Sequence, residues 1–403
     1  MSIQPIGVYF NRFAFRGSTP RTPGSGSVCS RSLRVGSVKD LRVILVTTGG
    51  LERIFYRCDH RLTLWSSQGR HVISNSRLAS LVTPLLLLHL AACGIRGDAV
   101  FTQPSSLVEL LPIDLDEKNP ERRQFGRLTL LSAFELHSKD ARFGGLSGLS
   151  ISADGKLYAI SDRGYWLSAR MRLDSDGRLL DLFDWEIKRL LTPEKKPVSG
   201  LLTDAEALAR APDGSFIVAF EQVHRLWRYP PPPNTFDAPA APVAIPREIA
   251  KAPNNGGIEA VTFLSDGRFL VITEEFENPD GSSKGWLIDN GRFTELSYIP
   301  TSGFRPSDCA ALRNGDVIVL ERRYAPFGIF AAVLKLVRRE NIRSGARLIG
   351  EELLRLDRTL QIDNFEGVAV EEHPDGPIIY MVSDDNYHPL QRTLLLQFQL
   401  WRP

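Results

Sequence analysis

Five copies of one unit run through the C-terminal part of this chain. The first is Ser147-Gly148-Leu149-Ser150-Ile151, an Asp154-Gly155 pair, a second apolar run, and the carboxylate Asp162. An Asp-Gly pair between two alternating apolar runs is a strong hairpin signal, because glycine accepts the positive φ that such a turn needs. The unit returns from Glu206 through Asp213-Gly214 to Glu221, and from Glu259 through Asp266-Gly267 to Glu274. It returns again from Asp308 through Asn314-Gly315 to Glu321, and from Glu366 through Asp375-Gly376 to Asp384. The opening positions, 147, 206, 259, 308 and 366, lie 59, 53, 49 and 58 residues apart. Self-similarity at roughly 40–50 residues, with several strands per copy, predicts an all-β fold and a β-propeller rather than a sandwich.

Further strand candidates lie between the hairpins: 166–173, 178–187, 225–229, 284–288, 292–298, 328–338 and 346–356. The last unit is followed by only one more, Thr393–Leu400. Strand 127–136, ahead of the first unit, would complete it. Closing the ring with an N-terminal strand removes an unpaired sheet edge. The count is five four-stranded blades, with room for a sixth in 163–205 or 224–257.

The net charge of +2 leaves no footprint of nucleic-acid binding in the totals. The four cysteines, Cys29, Cys58, Cys93 and Cys309, have no spacing that suits zinc or a disulfide framework. Residues 1–69, rich in Gly, Ser, Arg and Pro over 16–38, read as disordered or as an extension from a start placed too far upstream. A small N-terminal domain is the alternative. Residues 70–93 read as an export signal: Arg70, His71 and Arg77, then the apolar run Leu78–Leu90, then Ala91-Ala92-Cys93 in the manner of a lipobox. A lipid anchor through Cys93 and a periplasmic or outer-membrane location are the corresponding expectations. Residues 94–124 read as linker and 125–403 as the propeller, expected as a monomer.

The recurring acids are the functional clue. An acid at one place in every blade falls on one ring, and like charges on one ring repel. A hard cation relieves that repulsion, and Ca²⁺ takes carboxylate, carbonyl and water oxygens. Asp162, Glu206, Glu259, Glu366 and Asp384 are the candidate ligands, with Asn255, Asn364 and Asp385 as second choices. The alternative is that ring acids staple one blade to the next. Asp154, Asp213, Asp266 and Asp375 are read as turn residues only.

Five segments in combination carry a family resemblance: 143–149 (Phe-Gly-Gly-Leu-Ser-Gly-Leu), Ser161-Asp162-Arg163-Gly164, Asp204-Ala205-Glu206-Ala207-Leu208, Asn255-Gly256-Gly257-Ile258-Glu259-Ala260 and Asp363-Asn364-Phe365-Glu366-Gly367-Val368. Ser383-Asp384-Asp385-Asn386-Tyr387 belongs with them. Over residues 125–403 the chain resembles the phytase-like domain of bacterial "esterase-like activity of phytase" proteins. The resemblance implies a β-propeller and a family named for phosphoesterase activity. The better understood propeller phytases, more remote, use calcium.

The reading is an exported calcium-dependent phosphoesterase acting on a small phosphate ester. Glu259 and Glu206 are its candidate acid–base groups and Arg163 its phosphate contact. Arg305, Arg322, Arg323, Arg392 and Lys284 are further cations near blade loops, each open to the plainer role of neutralising a neighbouring acid. The alternatives are a non-catalytic propeller that binds a ligand or protein, and a calcium-dependent ester or lactone hydrolase. A serine hydrolase finds little support: Leu149 stands where G-x-S-x-G needs its last glycine, and His388 is one loop histidine among seven.

Overall fold

The structure is a computed structural model that describes strands within residues 42–73 and residues 107–325 and 329–401. The chain divides into two compact units, Met1–Phe101 and Thr102–Pro403. In the first, Arg42–Thr48, Leu51–Cys58, Arg61–Ser66 and Gly69–Ile73 pair in order as an antiparallel sheet. This differs from the disorder expected before residue 70. The strands are two residues apart, and Gly49-Gly50 between the first pair is a hairpin signal that an argument from composition overlooks. The lipobox, Cys93 and residues 74–106 lie outside the described residues.

The second unit is a five-bladed β-propeller. Blade 1 orders Leu146–Ile151, Lys156–Ser161, Tyr165–Leu173 and Leu179–Arg189 from the inside outwards. Blade 2 follows with Ala205–Arg210, Phe216–Phe220, Arg225–Tyr229 and Ala241–Val243. Blade 3 has Ile258–Phe263, Phe269–Glu277, Ser283–Asp289 and Arg292–Tyr298, with Arg347–Leu348 added in parallel at its edge. Blade 4 has Arg305–Ala311, Val317–Ala325, Ile329–Val337 and Glu351–Leu356. The segment 346–356, expected as one strand, is therefore split between two blades.

Blade 5 has Asn364–Glu371, Ile378–Asp384 and Leu394–Gln399, and its fourth strand is the N-terminal Leu128–Ser138. The ring closes as the strand count predicts, with no sixth blade among the described residues. The expected linker does more than connect: Val108–Pro112 pairs with the closing strand. Val108, Leu115 and Phe125 are buried, and the Phe125 ring meets Phe398 edge-on at 6.2 Å. Three spaced apolar anchors hold this stretch down where its mixed charge suggests a tether.

The cores lie between blades. Trp166 of blade 1 is fully buried against Phe216, Tyr229 and Phe236, with its ring stacked on Phe236 at 5.5 Å. Near the axis there is no room for bulk. A Cβ on Gly148 would come within 2.7 Å of the Leu208 Cβ, so the inner strands of blades 1 and 2 need glycine there.

Closure also has a polar lock. Gln397 is fully buried; its Oε1 accepts from the Leu179 amide (2.9 Å) and Ser132 Oγ (2.8 Å). Its Nε2 donates to Gly177 O (2.7 Å) and Tyr380 Oη (3.0 Å). One side chain thus ties blade 5 to its closing strand and to blade 1. Replacement by leucine strands several buried polar groups at once, and each such group costs about 1–3 kcal/mol. Gln397→Leu is expected to lower unfolding free energy by about 3 kcal/mol in urea titration; a loss below about 1 kcal/mol would mean that apolar contacts alone close the ring.

Candidate functional site

Every inner strand carries a bulge at the same place. Blade 1 pairs Leu146 with Ser161 and then Gly148 with Ile160, so Ser147 is the extra residue. The same shift makes Glu206, Glu259, Ser307 and Glu366 the extra residues of blades 2 to 5. The residue after the partner of the first pair closes the second strand: Asp162, Glu221, Glu274, Arg322 and Asp384. A bulge re-aims a side chain, and here it places one polar residue per blade at the same end of the ring.

This register corrects the reading of blade 4 by one residue at both positions. Ser307 and Arg322, not Asp308 and Glu321, are the equivalents of the ring acids. A one-residue slip moves a side chain to the other face of its strand, and the contacts follow. Asp308 accepts from the Val368 amide of blade 5 (2.7 Å) and from the Cys309 amide (2.8 Å). Glu321 accepts from Tyr298 Oη (2.6 Å) and the Thr301 amide (3.1 Å), with Lys335 at 3.5 Å. Both are blade staples, the alternative role weighed for such acids.

The remaining acids converge. Asp162, Asp204, Glu206, Glu221, Glu259, Glu274, Glu366 and Asp384 are eight carboxyl groups from four blades, and neighbouring carboxyls of this set help to raise Asp162, Glu206, Glu221, Glu259, Glu274 and Asp384. All five predicted ligands are among them. Asp204, Glu206 and Glu221 come closest, with one oxygen of each within 4.8 Å of the others. Two charges at that distance repel by about 3 kcal/mol at an effective dielectric near 20. Arg322 from blade 4 sits in their midst, 2.9 Å from Glu274 and 3.0 Å from Glu366, and also donates to Asn364 Oδ1 (3.2 Å).

Burial, and then the neighbouring carboxylates, push Glu206, Glu259 and Asp384 well above the ordinary carboxylate range. Burial, with Glu366 and Asp204 adding to it and Arg163 opposing, raises Asp162 to about 7. Glu221 also rises to about 7 through burial, although the Gly256 amide (2.7 Å) and the Gly257 amide donate to it and pull the other way. Burial draws Arg322 down, but Glu366, Glu274, Glu259 and Glu206 outweigh it and hold the guanidinium above its usual value. Among the buried atoms that have no hydrogen-bond partner in the structure are Asp162 Oδ1 and Ser147 Oγ, at the closing and bulge positions of blade 1.

The second-choice residues separate. Asn364 belongs to the cluster, between Arg322 and Glu366. Asn255 is exposed and bonded to Gln222. Asp385 accepts from the Gly145 amide (2.9 Å), the Tyr387 amide (3.0 Å) and Thr393 Oγ1 (3.1 Å), which makes it a staple between blades 5 and 1. Most of the cations are engaged elsewhere: Arg305 with Glu277, Lys284 with Glu248, Arg392 with Gln361 and Glu135. Arg323 lies over the Phe304 ring. Arg163 is exposed at the lip beside Asp162. The sequence places Arg322 among the cations that could neutralise a neighbouring acid, which it does here with Glu274 and Glu366, and it gives no ligand role to Asp204. Asp204 lies just ahead of the strand Ala205–Arg210, and the bulge at Glu206 breaks the simple alternation that would link the two in sequence.

A family model described as "Phytase-like: Esterase-like activity of phytase" matches residues 141–387, a span that contains all five inner strands. No curated protein matches the chain. Among solved structures, a virginiamycin B lyase from Staphylococcus aureus is similar at 11% identity and a TM-score of 0.34, covering 88% of this chain and 94% of its own. A luciferin-regenerating enzyme is similar at 10% identity and a TM-score of 0.35, covering 65% and 94%. The Dos1 propeller is similar at 9% identity and a TM-score of 0.29, covering 68% and 76%. None of these likenesses bears on the chemistry of this chain.

The raised carboxyls predict an unusual pH response. A group with a folded pKa above its unfolded one stabilises the fold at low pH and loses that contribution as pH rises through the folded value. For Asp162 and Glu221 the window runs from about 4 to about 7. Surface acids held low, such as Asp140 near 2 beside Arg142, act only below that window. The melting temperature of chelator-treated protein is expected to fall between pH 5 and pH 8. Added Ca²⁺ is expected to restore it at pH 8 and to do little at pH 5. A flat profile in calorimetry would mean that the cluster carries no charge strain.

Proposed function

We propose a function from one premise: the chain belongs to the phytase-like (esterase-like activity of phytase) family. The protein is a hydrolase of small ester substrates, phosphate monoesters first, that works with a divalent cation at the axial acid cluster. The single observation that carries this is the surplus of charge, eight carboxyls around one arginine.

The residues fit such an ion. The donors are all oxygen, which suits Ca²⁺ and not a thiolate- or imidazole-seeking metal. Asp162 also offers a buried oxygen with no partner. Asp162, Asp204 and Glu221, with Glu366 and Asp384, would hold the ion, which leaves Glu206 and Glu259 for proton transfer. When bound, it neutralises the carboxylates and acts as a Lewis acid toward the ester.

The chain's own groups account for the proton movements. Glu206 is only half-buried and hydrogen-bonded to Asp204, so it can take a proton from the attacking water. Glu259 is buried, with a raised pKa, and can return one to the leaving oxygen. Arg322, pinned between Glu274 and Glu366, keeps the carboxylates apart. The apolar run ending at Cys93 supports export with a lipid anchor.

One observation favours a second reading. Two of the cations that act on the cluster's carboxyls, Arg322 and Arg305, are each tied to a carboxylate, which suits a substrate of low charge such as a carboxylic ester or lactone. Full-length protein, stripped with chelator, separates the two. Phosphate release from inositol hexakisphosphate and p-nitrophenyl phosphate is expected on addition of Ca²⁺. Glu259→Gln is expected to cut kcat by about 100-fold. Turnover of p-nitrophenyl acetate or a lactone alone would establish the second reading, and no turnover of either class would leave the cluster as a binding site.

A further inference from the structure

Arg163 is unlike the other cations around the cluster. Its guanidinium carbon lies 3.4 Å from the centroid of the Tyr387 ring, so the planar group rests flat on the aromatic face. Among the described residues its side chain joins no ion pair and donates no hydrogen bond. Its N–H edge is left for solvent or a ligand. The next residue back is Asp162, with its buried, unpartnered Oδ1.

Tyr387 is held where it is by unusual backbone. Asn386 and Tyr387 both take positive φ, 48° and 49°, a conformation rare for an aromatic residue. Asp384 Oδ1 accepts from the Asn386 amide (2.6 Å) and Asp385 Oδ1 from the Tyr387 amide (3.0 Å). Asp385 also takes the Gly145 amide of blade 1 (2.9 Å). The ring lies over Gly144 and Gly145, where a Cβ on Gly145 would collide with both Tyr387 and Asp162. Two glycines, a left-handed turn and two aspartates thus serve to lay one ring beneath one arginine. Strain of this kind persists where the surroundings enforce it.

We propose that Arg163, laid flat on Tyr387, recognises an oxyanionic group of the substrate, and that Tyr387 is its positioning residue. A guanidinium with one face on a ring keeps its in-plane fork free, and that fork matches phosphate or carboxylate bidentately. The proposal rests on the hydrolase reading for its kinetic test but not for its binding test.

Full-length protein loaded with Ca²⁺ is titrated calorimetrically with inorganic phosphate and, separately, with acetate. Arg163→Gln is expected to weaken binding of the preferred anion at least about tenfold. Tyr387→Leu is expected to do nearly as much, and Tyr387→Phe, which keeps the stack, to restore it. In turnover of an anionic ester the effect is expected on KM rather than kcat. Preference for phosphate or for acetate names the group recognised. Should Tyr387→Leu fail to fold, the exposed Arg163 keeps the question open to test. Anion binding through Arg163 without turnover would sink the hydrolase reading and leave this one standing. Unchanged affinity in folded Arg163→Gln, or no binding of either anion by the parent protein, overturns the proposal.

Discussion

Crowding of like charge on the propeller axis is the constraint around which the rest is arranged. Each inner strand spends one residue on a bulge, and in three of the five blades that residue is a glutamate, Glu206, Glu259 or Glu366. Burial and mutual repulsion both disfavour the charged forms. A fold built only for stability would put apolar residues here, since replacing buried charges by well-packed apolar groups is often neutral or stabilising. The cluster is tolerated because other parts of the ring are closed tightly, by the Gln397 lock and the interblade aromatic cores.

Blade 4 is where the ring departs from five-fold repetition, and the departure has a clear electrostatic effect. Its bulge residue, Ser307, is neutral like Ser147 of blade 1, but its closing position is a cation, Arg322, where the other four blades have an acid. The single positive group lies between Glu274 of blade 3 and Glu366 of blade 5, so two of the acids are neutralised by geometry. The acids of blades 1 and 2 are left without a comparable partner. The imbalance therefore points to the side of the axis formed by Asp162, Asp204, Glu206 and Glu221. Arg163 and Tyr387 border the same side.

Much of this was legible in the sequence. The Asp-Gly and Asn-Gly turns gave the repeat, the repeat gave the blades, and the missing strand of the last unit gave the closure. All five predicted ligands fall in one cluster. What was not legible has a common cause. Glu321 and Arg322 are neighbours, as are Ser307 and Asp308, and only the bulge decides which of each pair faces the axis. An extra residue changes register without changing composition, so the most acidic alignment of the repeats falls one residue off in blade 4. The strand Val108–Pro112 was hidden for another reason: a short edge strand has few residues with which to declare its alternation.

The staples and the cluster come from the same residue types at nearly the same places, which explains why an acid in a repeat is an ambiguous sign. Asp308, Glu321 and Asp385 each accept backbone amides or hydroxyls from a neighbouring blade or loop, and those bonds satisfy their carboxylates. Asp162 does not fit that account, because its Oδ1 is buried and accepts nothing. Glu221 fits it only in part. Its Oε1 is satisfied by the Gly256 and Gly257 amides, yet the same side chain belongs to the closest acid triad. The distinction that matters is therefore satisfaction rather than acidity. A buried carboxylate with its oxygens filled by amides is structure. One that stays unfilled beside other acids holds free energy that a cation or proton can release, and on this axis such groups gather on the flank of blades 1 and 2.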